Sequence, residues 1–315
     1  MPVTWIDVSD ELLEESRALN AQIEALLDSM PSTHTIPAEV TRRTRAEGKG
    51  VFGELPKLPG FENRTLPGGV RVRTFVPERV DGAYLHIHGG GWTLGAADQQ
   101  DTGLAALATA ANVAIVSVDY RLAPEHPHPA GDDDCEAAAL WFVENARAEF
   151  GTDRWVIGGE SAGAHLAAVT LLRLRDKHDV SGFAGANLVF GAFDLGQTPS
   201  QRRWGNRNLI LSRPIMDWFF DNYLPGLSSE DRRDPATSPL WADLSNLPPA
   251  LFTVGAVDPL LDDSLFMGAR WEAAGNEAEV LVYPESIHGF HAFPTGIARM
   301  AATTQHEFVA RVVKG

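Results

Sequence analysis

The chain has 315 residues, 44% of them hydrophobic, enough to bury a sizeable core in one large domain or two small ones. Its formal net charge of −16 argues against nucleic acid or an anionic membrane surface as a partner, since both need clustered positive charge. A single cysteine, Cys135, excludes an intrachain disulfide and a zinc site built on several cysteines.

The first twenty residues lack the basic start and apolar core of a signal peptide. The most apolar stretch, 101–119, carries Thr109, Asn112 and Ser117 and falls short of a membrane span of about 20 residues. A soluble cytoplasmic protein with no membrane association is expected. Leu12, Leu13, Leu19, Ile23, Leu26 and Leu27 recur at helical spacing, which predicts a helix over 9–28 capped by Ser9. Residues 31–59 are polar and rich in Arg and Gly, and read as loop or a mobile lid.

From Phe61 onward, short apolar runs bounded by turn residues alternate with longer helical stretches. The runs at 70–76, 83–88, 113–120, 154–159, 186–193, 250–256 and 279–284 are predicted strands. The segments 102–111, 132–150, 161–175, 262–274 and 296–313 are predicted helices. Such alternation is the mark of a mostly parallel sheet covered on both faces. Residues 196–247 break the pattern. Trp204, Ile215, Trp218, Phe219 and Phe220 sit there among charges and prolines, so this stretch reads as an insertion above the sheet.

The sharpest chemical signal is Gly159-Glu160-Ser161-Ala162-Gly163, where a buried strand runs directly into a helix. This G-x-S-x-G elbow thrusts the serine hydroxyl out at the carboxyl edge of a sheet. A serine nucleophile needs a base, and the base needs an orienting group. Asp258 follows the strand 250–256, and His288 follows the strand 279–284, in the order serine, acid, histidine. Asp262 and Asp263 are rival acids that look like the capped start of the next helix, and His291 is a rival base.

The run His88-Gly89-Gly90-Gly91 follows the strand 83–88 at its carboxyl end. Three glycines bare backbone amides, which suit the negative oxygen of a tetrahedral intermediate. Gly90, Gly91 and the amide of Ala162 are the expected oxyanion hole, and Gly89 could replace one of them. His88 is expected to hold the loop by a hydrogen bond. Trp92 either walls the pocket or packs in the core. Trp218 and Phe219 are the further candidates for substrate binding. Prolines in "YRLAPEHP" fix a rigid loop, within which Arg121 and Glu125 are candidates to pair.

With "HGGGW", "VDYRLAPEHPHPA", "GGESAGAHLA", "DPLLDD" and "IHGF" in this order, the sequence resembles the hormone-sensitive-lipase-like carboxylesterases of the α/β-hydrolase superfamily over about residues 61–290. The resemblance implies an α/β fold with a mostly parallel eight-stranded sheet flanked by helices. It implies a cap made from residues 1–50 and an insertion at about 196–245, on a catalytic domain of residues 51–315. It also implies hydrolysis of short- to medium-chain carboxylic esters by Ser161, Asp258 and His288, through an acyl-enzyme intermediate, without metal or cofactor. The partner is then a small-molecule ester, and homodimers are common in the family. Glu160, where the family commonly has Asp or Thr, His128 and Asp263 depart from its pattern. Two other readings remain: an aryl-formamide or amide serine hydrolase, and a non-catalytic small-molecule receptor on the same fold.

Overall fold

Strand runs buried on both faces form the centre of the molecule, as the apolar content of parallel strands requires. A computed structural model describes residues 3–53 and 56–315; the first two residues of the N-terminal segment and residues 54–55 of the predicted 31–59 loop lie outside the described residues. β1 (Val3–Trp5), α1 (Asp10–Asp28) and α2 (Ala38–Ala46) precede a hairpin of β2 (Glu62–Thr65) and β3 (Arg71–Phe75). Next come β4 (Gly82–Ile87), α3 (Asp101–Ala111), β5 (Val113–Asp119), α4 (Ala130–Phe150), β6 (Trp155–Glu160), α5 (Ala162–His178) and β7 (Gly185–Val189). Two helices of the insertion, α6 (Pro199–Arg203) and α7 (Arg213–Tyr223), separate β7 from β8 (Ala250–Val257). The chain ends with α8 (Leu261–Ala273), β9 (Ala278–Ile287) and α9 (Gly296–Lys314).

The described strands make one sheet in the order β1-β9-β8-β7-β6-β4-β5-β3-β2, with only β3 running against the rest. The count is nine strands where eight were expected. Helices cover both faces. Leu104 and Leu107 of α3, Ile23 of α1 and Phe308 and Val309 of α9 pack on one side. Phe142 of α4, Leu166 and Leu171 of α5 and Met267 and Trp271 of α8 pack on the other. The loop read over 31–59 requires a correction, because residues 38–46 are helical.

Register aims particular residues at one edge. Val257 of β8 lies opposite Ile287 of β9 just past an irregularity after Gly255. Asp258 and His288 each follow one residue later, so two parallel strands deliver them side by side. Ile87 of β4 lies opposite Gly159 of β6. That pairing brings the glycine run after His88 against the turn at Ser161.

Candidate active site

Ser161 caps α5 at φ 57°, ψ −119°, a conformation that L-residues adopt only when neighbours impose it. Its N–H donates to Val189 O at 2.9 Å. The flanking glycines are there for space: a Cβ on Gly159 or on Gly163 would run into the Ile87 carbonyl oxygen. Close approach of β4, β6 and α5 therefore makes the sharp turn possible.

His288 is buried, and its Nδ1 donates to Asp258 Oδ2 at 2.9 Å. Its Nε2 lies 2.9 Å from Ser161 Oγ, whose hydroxyl can donate to it. Asp258 Oδ1 accepts from the Leu260 N–H at 2.8 Å, which fixes the carboxylate plane. The structure thus brings Ser161, His288 and Asp258 into one hydrogen-bonded chain. The rivals stand elsewhere. Asp263 accepts from the N–H groups of Phe193 and Asp194 at 2.7 and 2.9 Å, and from Thr198 and Gln201 at 2.7 Å each. Asp262 accepts from the Ser200 N–H at 2.7 Å. His291 makes no hydrogen bond to Ser161, and burial lowers its pKa.

Gly90 at φ 123° and Gly91 at φ 60° turn the loop beside Ser161. Among the described residues, the N–H groups of Gly89, Gly90, Gly91 and Ala162 have no acceptor. The turn itself is held, with Leu94 N–H donating to Gly90 O at 2.8 Å. Tyr120 Oη donates to His88 O at 3.0 Å, and the His88 ring stacks on Tyr120 at 4.3 Å. His88 Nδ1 donates to Gly89 O at 2.8 Å, and burial pulls the imidazole down to about 4, so it is neutral at pH 7. Phe219 packs its ring against Gly91.

Three of the expected contacts require correction. Trp92, at φ 56°, does not line the cavity; it stacks on Tyr223 at 4.7 Å and donates from Nε1 to His165 Nδ1 at 3.1 Å. Trp218 does not line it either, although its neighbour Phe219 does. Arg121 pairs with Asp134 at 2.8 Å, whereas Glu125 binds Arg42 of α2 at 2.9 Å, so the pair within the loop does not form.

Glu160, whose role was not legible in the sequence, has defined surroundings in the structure. His86 Nε2 donates to both Glu160 oxygens, at 3.2 and 3.0 Å, while Nδ1 meets Ser117 Oγ at 2.8 Å. Burial opposes ionisation of Glu160, but the adjacent His86 ring keeps the carboxyl below the usual range. This ionised floor sits one residue from the nucleophile, and only the register of β4 against β6 reveals it.

A cavity of about 290 Å³ opens above Ser161. Its floor includes Ser161, Glu160 and His288, and its walls come from 27–53 and from 208–219. Among the described residues no group of three or more His, Cys, Asp or Glu is placed to hold a metal ion. No helix among them is long and apolar enough to cross a membrane.

Residues 84–292 match the model of a family described by its alpha/beta hydrolase fold. The chain is 36% identical over 301 residues to the carboxylesterase NlhH of Mycobacterium tuberculosis, covering 90% of this chain and 92% of that one. It is 39% identical over 311 residues to the carboxylic ester hydrolase LipN of the same organism, covering 96% and 77%. Among solved structures, a hormone-sensitive lipase from a metagenome library superposes with a TM-score of 0.84 at 26% identity, covering 95% of this chain and 98% of that one.

Proposed function

The chain belongs to the α/β-hydrolase family and is a serine esterase acting on carboxylic esters, and we propose that Ser161 is its nucleophile, His288 its proton carrier and Asp258 the group that holds the imidazole. As Ser161 Oγ attacks the ester carbonyl, His288 Nε2 takes its proton, and Asp258 stabilises the imidazolium so formed. The carbonyl oxygen becomes an oxyanion facing the amides of Gly90, Gly91 and Ala162, with Gly89 as the alternative donor. Collapse breaks the bond to the alcohol, which leaves with the proton from His288. Water then attacks the acyl-enzyme with the same base, and the carboxylic acid departs. The observation that carries this reading is the unbroken path from Asp258 through His288 to Ser161, in two hydrogen bonds of 2.9 Å.

Of the expected N-terminal cap segment, β1 joins the sheet and α1 packs on its face. In this reading the cap is therefore the part from Leu27 to Gly53 together with the insertion at about 196–245, with Phe219 as a wall of the acyl pocket. The cavity of about 290 Å³ favours short to medium acyl chains, because it lies at the small end of ligand sites, which run from about 300 to 1,000 Å³. The test is a nitrophenyl ester series from acetate to dodecanoate, run on the wild type and on Ser161→Ala. The wild type is expected to peak at short chains, and Ser161→Ala to lose roughly 10³-fold or more in kcat. Near-normal turnover in the variant would remove the nucleophile assignment. Preference for dodecanoate would overturn the pocket size.

A further inference from the structure

Arg42 and Arg45 lie one turn apart on α2 and have opposite surroundings. Arg42 holds both oxygens of Glu125 at 3.0 and 2.9 Å, and donates to the carbonyls of Thr93 and Ala123 at 2.7 and 2.6 Å. Arg45 is partly buried in the wall of the cavity above Ser161. Among the described residues it has neither a carboxylate partner nor a hydrogen-bond acceptor, and its guanidinium faces only the Phe52 ring at 5.4 Å. Burial brings its pKa down to about 10, which leaves it fully charged at pH 7. A partly buried guanidinium with no counter-ion among the described residues is one that an incoming anion can pair with.

The rest of the cavity says where an anion can sit. Lys49, the other cation in the lining, is already paired with Glu47 at 2.8 Å. Glu160, on the floor beside Ser161, is already held by His86, so it leaves no free charge there to bind a second substrate group. At the cap, Thr41 Oγ1 is buried in the lining without a partner and can donate. Among the described lining residues, the Arg or Lys side chain left without a carboxylate is therefore Arg45, on α2.

We propose that the preferred substrates are esters carrying a second, terminal carboxylate, which Arg45 holds at the cap end of the cavity while the ester lies over Ser161. A planar guanidinium presents paired N–H donors that match a carboxylate, and partial desolvation strengthens the contact. The carboxylate can belong to the acyl part, as in a half-ester of a dicarboxylic acid, or to the alcohol part, as in an acylated hydroxy acid. The proposal rests on the esterase reading above.

The experiment measures kcat/KM for two matched pairs of esters. For the acyl side, the 4-nitrophenyl half-ester of adipic acid is compared with its methyl-capped neutral form. For the alcohol side, the acetate ester of 6-hydroxyhexanoic acid is compared with its methyl ester. The wild type is expected to favour the anionic member by about tenfold or more in one pair, through KM, and that pair identifies the source of the carboxylate. Arg45→Met should bring this ratio close to one. Arg45→Glu should instead favour a trimethylammonium-capped acyl ester over the neutral one. A wild-type ratio at or below one in both pairs, or a ratio that Arg45→Met leaves unmoved, overturns the proposal. Release of nitrophenol from the neutral ester by the wild type, lost in Ser161→Ala, reports on the esterase reading separately.

Discussion

Ser161 is held at a positive φ that costs of the order of 1–3 kcal/mol, so the residues packed around it must be rigid. Gly163 is the clearest case. It is helical and needs no special φ; a Cβ there would run into the backbone of Ile87 and His88. That backbone leads into the glycine loop and cannot retreat without moving it. Gly163→Ala is expected to lower stability by about 1–3 kcal/mol and to reduce ester turnover as well. A urea midpoint equal to that of the wild type would show that the loop yields. The places of Ser161, Asp258 and His288 could be read from the sequence because each ends an apolar run, and parallel strands bring such ends to one edge. Side-chain direction could not be read so well. Trp92 turns away from the cavity because its partners, His165 and Tyr223, come from α5 and α7. Glu160 with His86, and Arg45 without a carboxylate partner among the described residues, are facts about neighbours remote in the chain.

At the scale of elements, the start of α8 fastens the insertion to the sheet. Asp263 collects four donors from 193–201, and Asp262 accepts from the Ser200 N–H, while Ser200 Oγ donates to Pro259 O at 2.7 Å. The same segment begins just after Asp258, so one short stretch fixes both the insertion and the acid. Asp263→Ala would leave two buried backbone N–H groups without an acceptor, each worth about 1–3 kcal/mol. A loss of about 3 kcal/mol or more is expected, against about 1 kcal/mol for Asp262→Ala, both read from urea unfolding. Equal losses would mean that the clamp is not centred on Asp263. The sequence showed both aspartates as a helix start, which is their local role; the segment they clamp arrives from over 60 positions earlier. Buried strands and long helices were legible by period. β1, with three residues, is too short to show one, and β2, Glu-Asn-Arg-Thr, is exposed and polar. α2, Ala-Glu-Val-Thr-Arg-Arg-Thr-Arg-Ala, buries little apolar surface, so its composition imitates a loop.

For the whole molecule, buried histidines set the response to acid. His165 is fully satisfied when neutral: Nδ1 accepts from Trp92 Nε1 at 3.1 Å, and Nε2 donates to Thr237 O at 2.8 Å. A second proton would point at the tryptophan N–H. Burial accordingly pulls His165 and His88 down to about 4 each, from an ordinary value of 6.5. Well above pH 6.5 these rings are neutral whether the chain is folded or not, and they do not affect stability. As pH falls from 6.5 to 4, the unfolded chain gains protons that the folded one refuses, so stability falls by about 1.4 kcal/mol per pH unit for each ring. Asp263 works in the opposite direction. Burial pushes its carboxyl up to about 7, so the folded state holds a proton there that the unfolded chain releases above about 4, and acid favours folding at this site. With two rings lowered against one carboxyl raised, the balance is a loss of stability as pH falls from 6.5 to 4. His291 and His306, both lowered by burial, deepen the loss. Urea midpoints measured at intervals from pH 8 to pH 4.5 should be level near neutrality and then drop steadily below pH 6.5. His165→Gln, which can keep the N–H donation to Thr237 and the acceptor for Trp92, should shallow that drop. A midpoint that rises on acidification through this window would show that Asp263 outweighs the buried rings.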